Sequence, residues 1–171
     1  MSFTAYADGR FDLDGQWTRC ALGPGGVVAA TSKREGDGKS PVGAWPLRRV
    51  LYRADRRAAP ATALPATRLA PDDGWCDAPD DPAYNQPIKH PYAASAERLW
   101  RDDHLYDLVV ILGYNDEPVV AGAGSAIFLH LAHADYAPTQ GCVALAAEDL
   151  EALVAKARPG DVLIVSPDAA P

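Results

Sequence analysis

The sequence predicts a β-rich fold, mainly β with one clear C-terminal helix. Three observations carry this expectation. Short apolar runs, some alternating and some continuous, recur between turn signals along most of the chain. Pro (15) and Gly (14) are plentiful among 171 residues, which suits many turns better than a helix bundle. Only one stretch, "ALAAEDLEALVAKARPGD", repeats its apolar residues at the helical period. The length suits one domain, 1–171, with a sizeable core, and 48% apolar against 23% charged residues is a globular composition.

The elements follow in order. "SFTAY" and "RFDLD" flank Asp8-Gly9, read as a type I′ hairpin. "QWTRCAL" follows a second Asp-Gly, Asp14-Gly15, and "GVVAAT" follows the loop Gly23-Pro24-Gly25-Gly26. "SKREGDGKSPVGAW" is polar and Gly-rich, so a surface loop is expected. "WPLRRVLYR" alternates as a strand, and the basic run Arg48, Arg49, Arg53, Arg56, Arg57 reads as a solvated strand edge and loop. Residues 54–107 form a long irregular insertion. Trp75, Tyr84, Tyr92 and Trp100 argue against its being disordered, and "SAERLW" suggests one short helix. "LYDLVVILGY", "PVV" and "SAIFLHLA" read as β runs. In the helix, Leu150, Leu153, Val154 and Ala157 share one face; Glu148 and Asp149 suit its first turn, Lys156 and Arg158 its last, and Pro159-Gly160 ends it. "DVLIVS" is the final strand.

A net charge of −7 and a pI near 4.9 exclude a nucleic-acid partner, which wants a basic surface. The apolar runs are too short to span a bilayer, so no membrane partner is expected. The N-terminus has neither a basic n-region nor an apolar h-region. A cytoplasmic location is therefore expected, or a periplasmic one if a leader has been removed. Three cysteines, Cys20, Cys76 and Cys142, make no disulfide framework; the count leaves room for a Cys20–Cys76 bridge that no spacing supports.

Chemistry concentrates in "AIFLHLA" and "APTQGCVAL". Cys142 as a nucleophile needs a nearby base, and His130, at the end of an apolar strand, is the candidate. Gly141 permits close backbone approach, and the N–H groups of Gly141 and Cys142 are candidates for an oxyanion hole. The carbonyls of Leu131 or Ala132 could orient the imidazole. On residue type alone a buried structural cysteine is the commoner reading. A metal site from His130, His133, Cys142 and Asp135 is disfavoured, because strand positions three apart face opposite sides.

"GKSPVGAW", followed downstream by "IFLH" and "TQGCVAL", resembles the L,D-transpeptidase catalytic domain, the YkuD family. Ser40, Pro41, Gly43 and Trp45 match its early motif, His130 its base, and Thr139, Gly141 and Cys142 its nucleophile motif; the likeness runs from about residue 3 to residue 166. The resemblance implies packed mixed β-sheets and a cysteine acyl-enzyme needing no metal or cofactor. It implies cleavage between the L-centre of meso-diaminopimelate and the terminal D-Ala of a peptidoglycan stem peptide or muropeptide, with carbapenem-type β-lactams as inhibitors. Three departures stand out: only 11 residues separate His130 from Cys142, Leu131 replaces a common glycine, and Ala144 stands where the family usually has arginine. Substrate binding is then expected from Thr139, Arg101, His104 or Lys89, and Tyr84. The missing export signal favours hydrolysis, an L,D-carboxypeptidase of muropeptide recycling. The alternatives are an L,D-transpeptidase forming cross-links and a non-catalytic binder of peptidoglycan fragments with an inert Cys142.

Overall fold

The computed structural model describes Met1 and residues 3–171; Ser2, at the start of the first predicted strand, lies outside the described residues. The elements are β1 (Phe3–Tyr6), β2 (Arg10–Leu13), β3 (Gln16–Arg19), β4 (Val27–Ala29), β5 (Ser40–Tyr52), β6 (Ala66–Arg68), β7 (Asp73–Cys76), β8 (Pro87–Lys89), β9 (Ala96–Arg98), β10 (Leu108–Leu112), β11 (Phe128–Leu131), β12 (Val143–Leu145), α1 (Ala147–Lys156) and β13 (Val162–Ser166). The fold is β-rich, with mixed sheets and one helix near the C-terminus.

The large sheet runs β12-β11-β10-β5-β13-β1-β2-β3, with β4 and β6 also paired to β5; β8-β7-β9 form a small second sheet. The long strand β5 joins two wings. Its first half pairs β13 through Gly43–Pro46, and its second half pairs β10 from Leu47 to Tyr52. In the wing β12-β11-β10, one face carries Leu108, Val110, Leu129, Leu131, Val143 and Leu145 into the main core. There they meet Leu150, Leu153, Val154 and Ala157, the four residues read as one helical face. The opposite face carries Val109, Ile111, Phe128 and Cys142 into a second core, closed by Leu69, Trp75, Leu99 and Tyr106. Both faces are covered, which is why these strands read as nearly continuous apolar runs. The helix has no side-chain N-cap at Ala146, so the burial of its apolar face holds it in place.

Several local expectations differ from the structure. The type I′ turn is the second Asp-Gly: Asp14 (φ 54°) and Gly15 (φ 91°) both take positive φ between Leu13 and its partner Gln16. At the first, only Gly9 does so, in a three-residue loop whose Gly9 N–H donates to Tyr6 O. "SPVGAW" opens β5 instead of belonging to a surface loop. In the basic run, Arg48 and Arg56 are exposed as expected, but Val50–Tyr52 is paired on both sides, by β10 and β6, and Arg53 is buried with its guanidinium 3.6 Å from the Trp100 ring centroid and its Nε and Nη2 on Asp55. "SAERLW" gives β9, because six residues nucleate a helix poorly and β7 offers them a pairing edge. "PVV" is not a strand; Asn115 closes it into a turn through Val120 N–H and O and Gly124 O. Residues 54–107, read as irregular, contain β6 to β9. All three cysteines are free.

Candidate active site

The parallel register of β11 and β12, Leu129 opposite Val143 and His130 opposite Ala144, determines what can meet. Side chains two apart on a strand share a face, so Phe128, His130, Cys142 and Ala144 all point away from α1. His130 and Cys142 both line one cavity of about 460 Å³. Both are nearly closed to solvent, at 5% and 6% exposure, because residues 69–106 fold over this face.

The Gly-Cys turn is clamped from two distant parts of the chain. Ser40 Oγ donates to Cys142 O (3.3 Å) and accepts from Gly23 N–H (3.1 Å). Thr139 Oγ1 donates to the same carbonyl (2.7 Å) and accepts from Gly141 N–H (3.1 Å). Gly141 sits at φ +119°, and a Cβ there would lie 2.8 Å from Lys39 O, so no other residue fits without movement. At the start of β5, a Cβ on Gly43 would lie 2.4 Å from the Trp45 ring, whose Nε1–H donates to Pro41 O. The "SPVGAW" motif thus supports the cysteine turn without lining the cavity.

The thiol donates to Ala126 O (3.2 Å) and accepts from Phe128 N–H (3.3 Å). Ala126 is held in turn by Asn85, whose Oδ1 accepts from Ala126 N–H and Trp75 Nε1–H. Burial first, then the charge of Glu97, pushes the Cys142 thiol up to about 12. Burial likewise pushes His130 down to about 4, against the hydrogen bond to Leu131 O. At neutral pH the pair is therefore a thiol and a neutral imidazole. His130 Nδ1–H donates to Leu131 O (2.8 Å), one of the two carbonyls expected to orient it, which leaves Nε2 with a free lone pair. The Tyr106 ring stands edge-on to the imidazole at 5.1 Å.

The other expected residues are spread unevenly. Arg101 lines the cavity, with Nε and Nη2 on the Asp103 carboxylate at 2.9 and 2.6 Å. Thr139 lines it too, but its hydroxyl is spent on the turn, as is the Gly141 N–H once considered for an oxyanion hole. Tyr84 does not line it: its OH donates to Glu35 (2.5 Å) and accepts from Gly124 N–H, and the residue is buried behind the wall. His104 is exposed, with Nε2 on Ala132 O, and Lys89 is paired with Asp72 and Asp73 outside the cavity. Asp135 caps Ala137 N–H, and among the described residues no three His, Cys, Asp or Glu side chains are placed to hold a metal ion. The sequence reading missed Lys33, Glu35, Asp77, Glu97 and Tyr106, all on the cavity wall.

The sequence model of the YkuD family, the L,D-transpeptidase catalytic domain, matches residues 2–165. The chain belongs to the YkuD family. No curated protein and no solved structure matches it. YkuD membership makes it an L,D-transpeptidase-type enzyme of peptidoglycan, with stem peptides as its substrates. Among the described residues no helix is long and apolar enough to cross a membrane. The departure at Ala144 has a structural counterpart. Ala144 is 1% exposed, exchanges both backbone hydrogen bonds with Ala21, and packs on Ala21 and Ala132. Ala144 borders the cavity, so the wall carries no cation at this position.

Proposed function

We propose that the protein is a cysteine acyl-enzyme that cleaves the meso-diaminopimelate–D-Ala bond of tetrapeptide stems and passes the acyl group to water, an L,D-carboxypeptidase. The observation that carries this reading is the placement of Cys142 and His130 on one face of β11 and β12, in one cavity. His130 Nε2 takes the thiol proton as Sγ attacks the carbonyl carbon, and the tetrahedral intermediate collapses to a thioester. The imidazolium gives that proton to the departing amine of D-Ala. A water molecule, deprotonated by His130, then hydrolyses the thioester and releases the tripeptide. Arg101 takes the terminal carboxylate of the substrate, in place of an arginine at position 144, where this chain has alanine; its Nη1 has no hydrogen-bond partner among the described residues.

Enclosure favours water over a second stem. With Cys142 and His130 at 6% and 5% exposure under the cover formed by residues 69–106, a donor stem that fills the cavity leaves space at the thioester for water more readily than for a second stem. One observation favours a non-catalytic binder instead: the resting thiol is bonded to Ala126 and Phe128, with no hydrogen bond to His130 among the described residues. Incubation with a disaccharide tetrapeptide separates the readings. Tripeptide and D-Ala alone support the carboxypeptidase, cross-linked dimer the transpeptidase, and unchanged substrate the binder.

A further inference from the structure

Arg101, Leu105 and Tyr106 reach the cavity from one short segment that precedes β10. The Asp103 carboxylate holds this segment together: it accepts from Arg101 Nε and Nη2 (2.9 and 2.6 Å) and from Leu105 N–H (3.2 Å). Leu105 O accepts from Leu131 N–H (3.1 Å), which ties the segment to the residue after His130. The next side chain is Tyr106, buried at 5% exposure. Its ring stands nearly perpendicular to the His130 imidazole (5.1 Å, 71°) and to Phe128 (6.0 Å, 74°). The guanidinium carbon of Arg101 lies 5.1 Å from the centroid of the same ring. At the far end of the ring the hydroxyl donates to Glu97 Oε1 on β9 (2.5 Å). The proposed reaction gives Tyr106 no chemical step, yet this one side chain touches both the base and the arginine assigned to the substrate carboxylate.

We propose that Tyr106 is a positioning residue that holds His130 and Arg101 in one fixed relation to each other, a role that rests on the acyl-enzyme reading above. Three features support it. The hydrogen bond to Leu131 O fixes the tautomer of His130, and the Tyr106 ring packed against the imidazole limits its tilt. Asp103 binds Arg101 along one side of the guanidinium, and the Tyr106 ring adds an aromatic attraction for the cation. The ring is itself held at both ends, by its backbone beside Leu105 and by its hydroxyl on Glu97. That bond to Glu97 also satisfies the buried hydroxyl, so a tyrosine can stand here at little cost. Acylation needs the scissile carbonyl at Sγ while the terminal carboxylate sits on Arg101 and the base is in reach of the thiol. These placements must hold at once, and a shift of about 1 Å in one of them can cost about a hundredfold in rate.

The test follows tripeptide release from a disaccharide tetrapeptide by wild type, Tyr106→Leu, Tyr106→Phe, Arg101→Ala and the Tyr106→Leu/Arg101→Ala double variant. Each is assayed at a temperature where calorimetry shows it folded. Tyr106→Leu should lower kcat by about tenfold to a hundredfold, through His130. It should also raise KM by about threefold or more, through Arg101. Tyr106→Phe keeps the ring and should recover most of both losses. In the Arg101→Ala background, Tyr106→Leu should lower kcat by the same factor but leave KM where Arg101→Ala alone puts it, because its effect on KM has no other route. A tyrosine that only fills space would not split kcat from KM in this way. Equal losses in Tyr106→Leu and Tyr106→Phe, or a KM effect that adds in full to that of Arg101→Ala, overturns the positioning role and leaves the acyl-enzyme reading standing. So does a kcat for folded Tyr106→Leu within about twofold of wild type. No turnover by wild type, with no acyl adduct on Cys142, overturns the acyl-enzyme reading and the role of Tyr106 with it.

Discussion

The wing β10-β11-β12 has two faces built by the same three strands, and they do different work. On the face toward α1 the aliphatic side chains of Leu129, Leu131, Val143 and Leu145 meet those of Leu150, Leu153 and Val154. The face toward residues 69–106 carries His130 and Cys142 among Phe128, Trp75 and Tyr106 and opens into a polar cavity. The difference lies in the cover. A helix with one apolar stripe closes the first face tightly, while three-residue strands and loops close the second around a space of about 460 Å³. Burial therefore stabilises on one side, and on the other it sets protonation, lowering His130 and raising Cys142.

Mutations on the two faces should separate cleanly. The largest effect belongs to the cavity face: His130→Gln should lower kcat by about 10³-fold or more while the melting temperature changes little, checked by steady-state kinetics and calorimetry. On the other face, Leu153→Ala should cost about 2–5 kcal/mol in denaturant unfolding, with kcat per folded molecule unchanged. If Leu153→Ala reduces kcat more than stability, the two faces are not independent.

pH sharpens the same contrast. His130 must be neutral to act as a base, and its value of about 4 places the acid limb of kcat/KM near pH 4, not near the usual 6.5. The sign for stability follows from linkage. Between about pH 6.5 and 4 the unfolded histidine binds a proton that the folded one refuses, so stability falls as pH drops through that window. Cys142 acts at the other end: the unfolded thiol ionises near 9 while the folded one holds its proton to about 12, so stability falls as pH rises above 9. Urea unfolding across pH checks both signs.

The smallest effects distinguish a residue inside the cavity from residues near it. Arg101→Ala should raise KM about tenfold with kcat little changed, because it removes a charged contact to the substrate. Lys89→Ala, on β8 with its charge on Asp72 and Asp73, should leave KM unchanged and stability within about 0.5 kcal/mol. Equal KM for wild type and Arg101→Ala would return Arg101 to a plain surface pair with Asp103.

What the sequence revealed follows local pattern. The helix face, β10, β11 and the Gly-Cys turn were legible because periodicity and turn residues specify them within a dozen positions. The cover was not: β7, β8 and β9 are three or four residues long in a Pro- and Asp-rich segment, and only pairing with one another makes them strands. The site divides the same way. Cys142 and His130 were visible through motifs, whereas Glu97 and Asp77 enter the cavity only because β7 and β9 pair over it. Ser40 matched a motif, but its work, a hydrogen bond to a carbonyl 102 positions away, carries no local signature. Tyr84 drew notice as an aromatic in a long segment and proves to be a buried brace for Glu35 and Gly124.

The central claim is that Cys142, immediately before β12 on the covered side of the wing, is the nucleophile. Intact-mass measurement after carbapenem treatment tests it most directly. A single adduct on wild type, mapped by peptide digestion to Cys142 and absent from Cys142→Ala, is the expected result. No adduct on wild type, or an equal adduct on Cys142→Ala through Cys20 or Cys76, would contradict it.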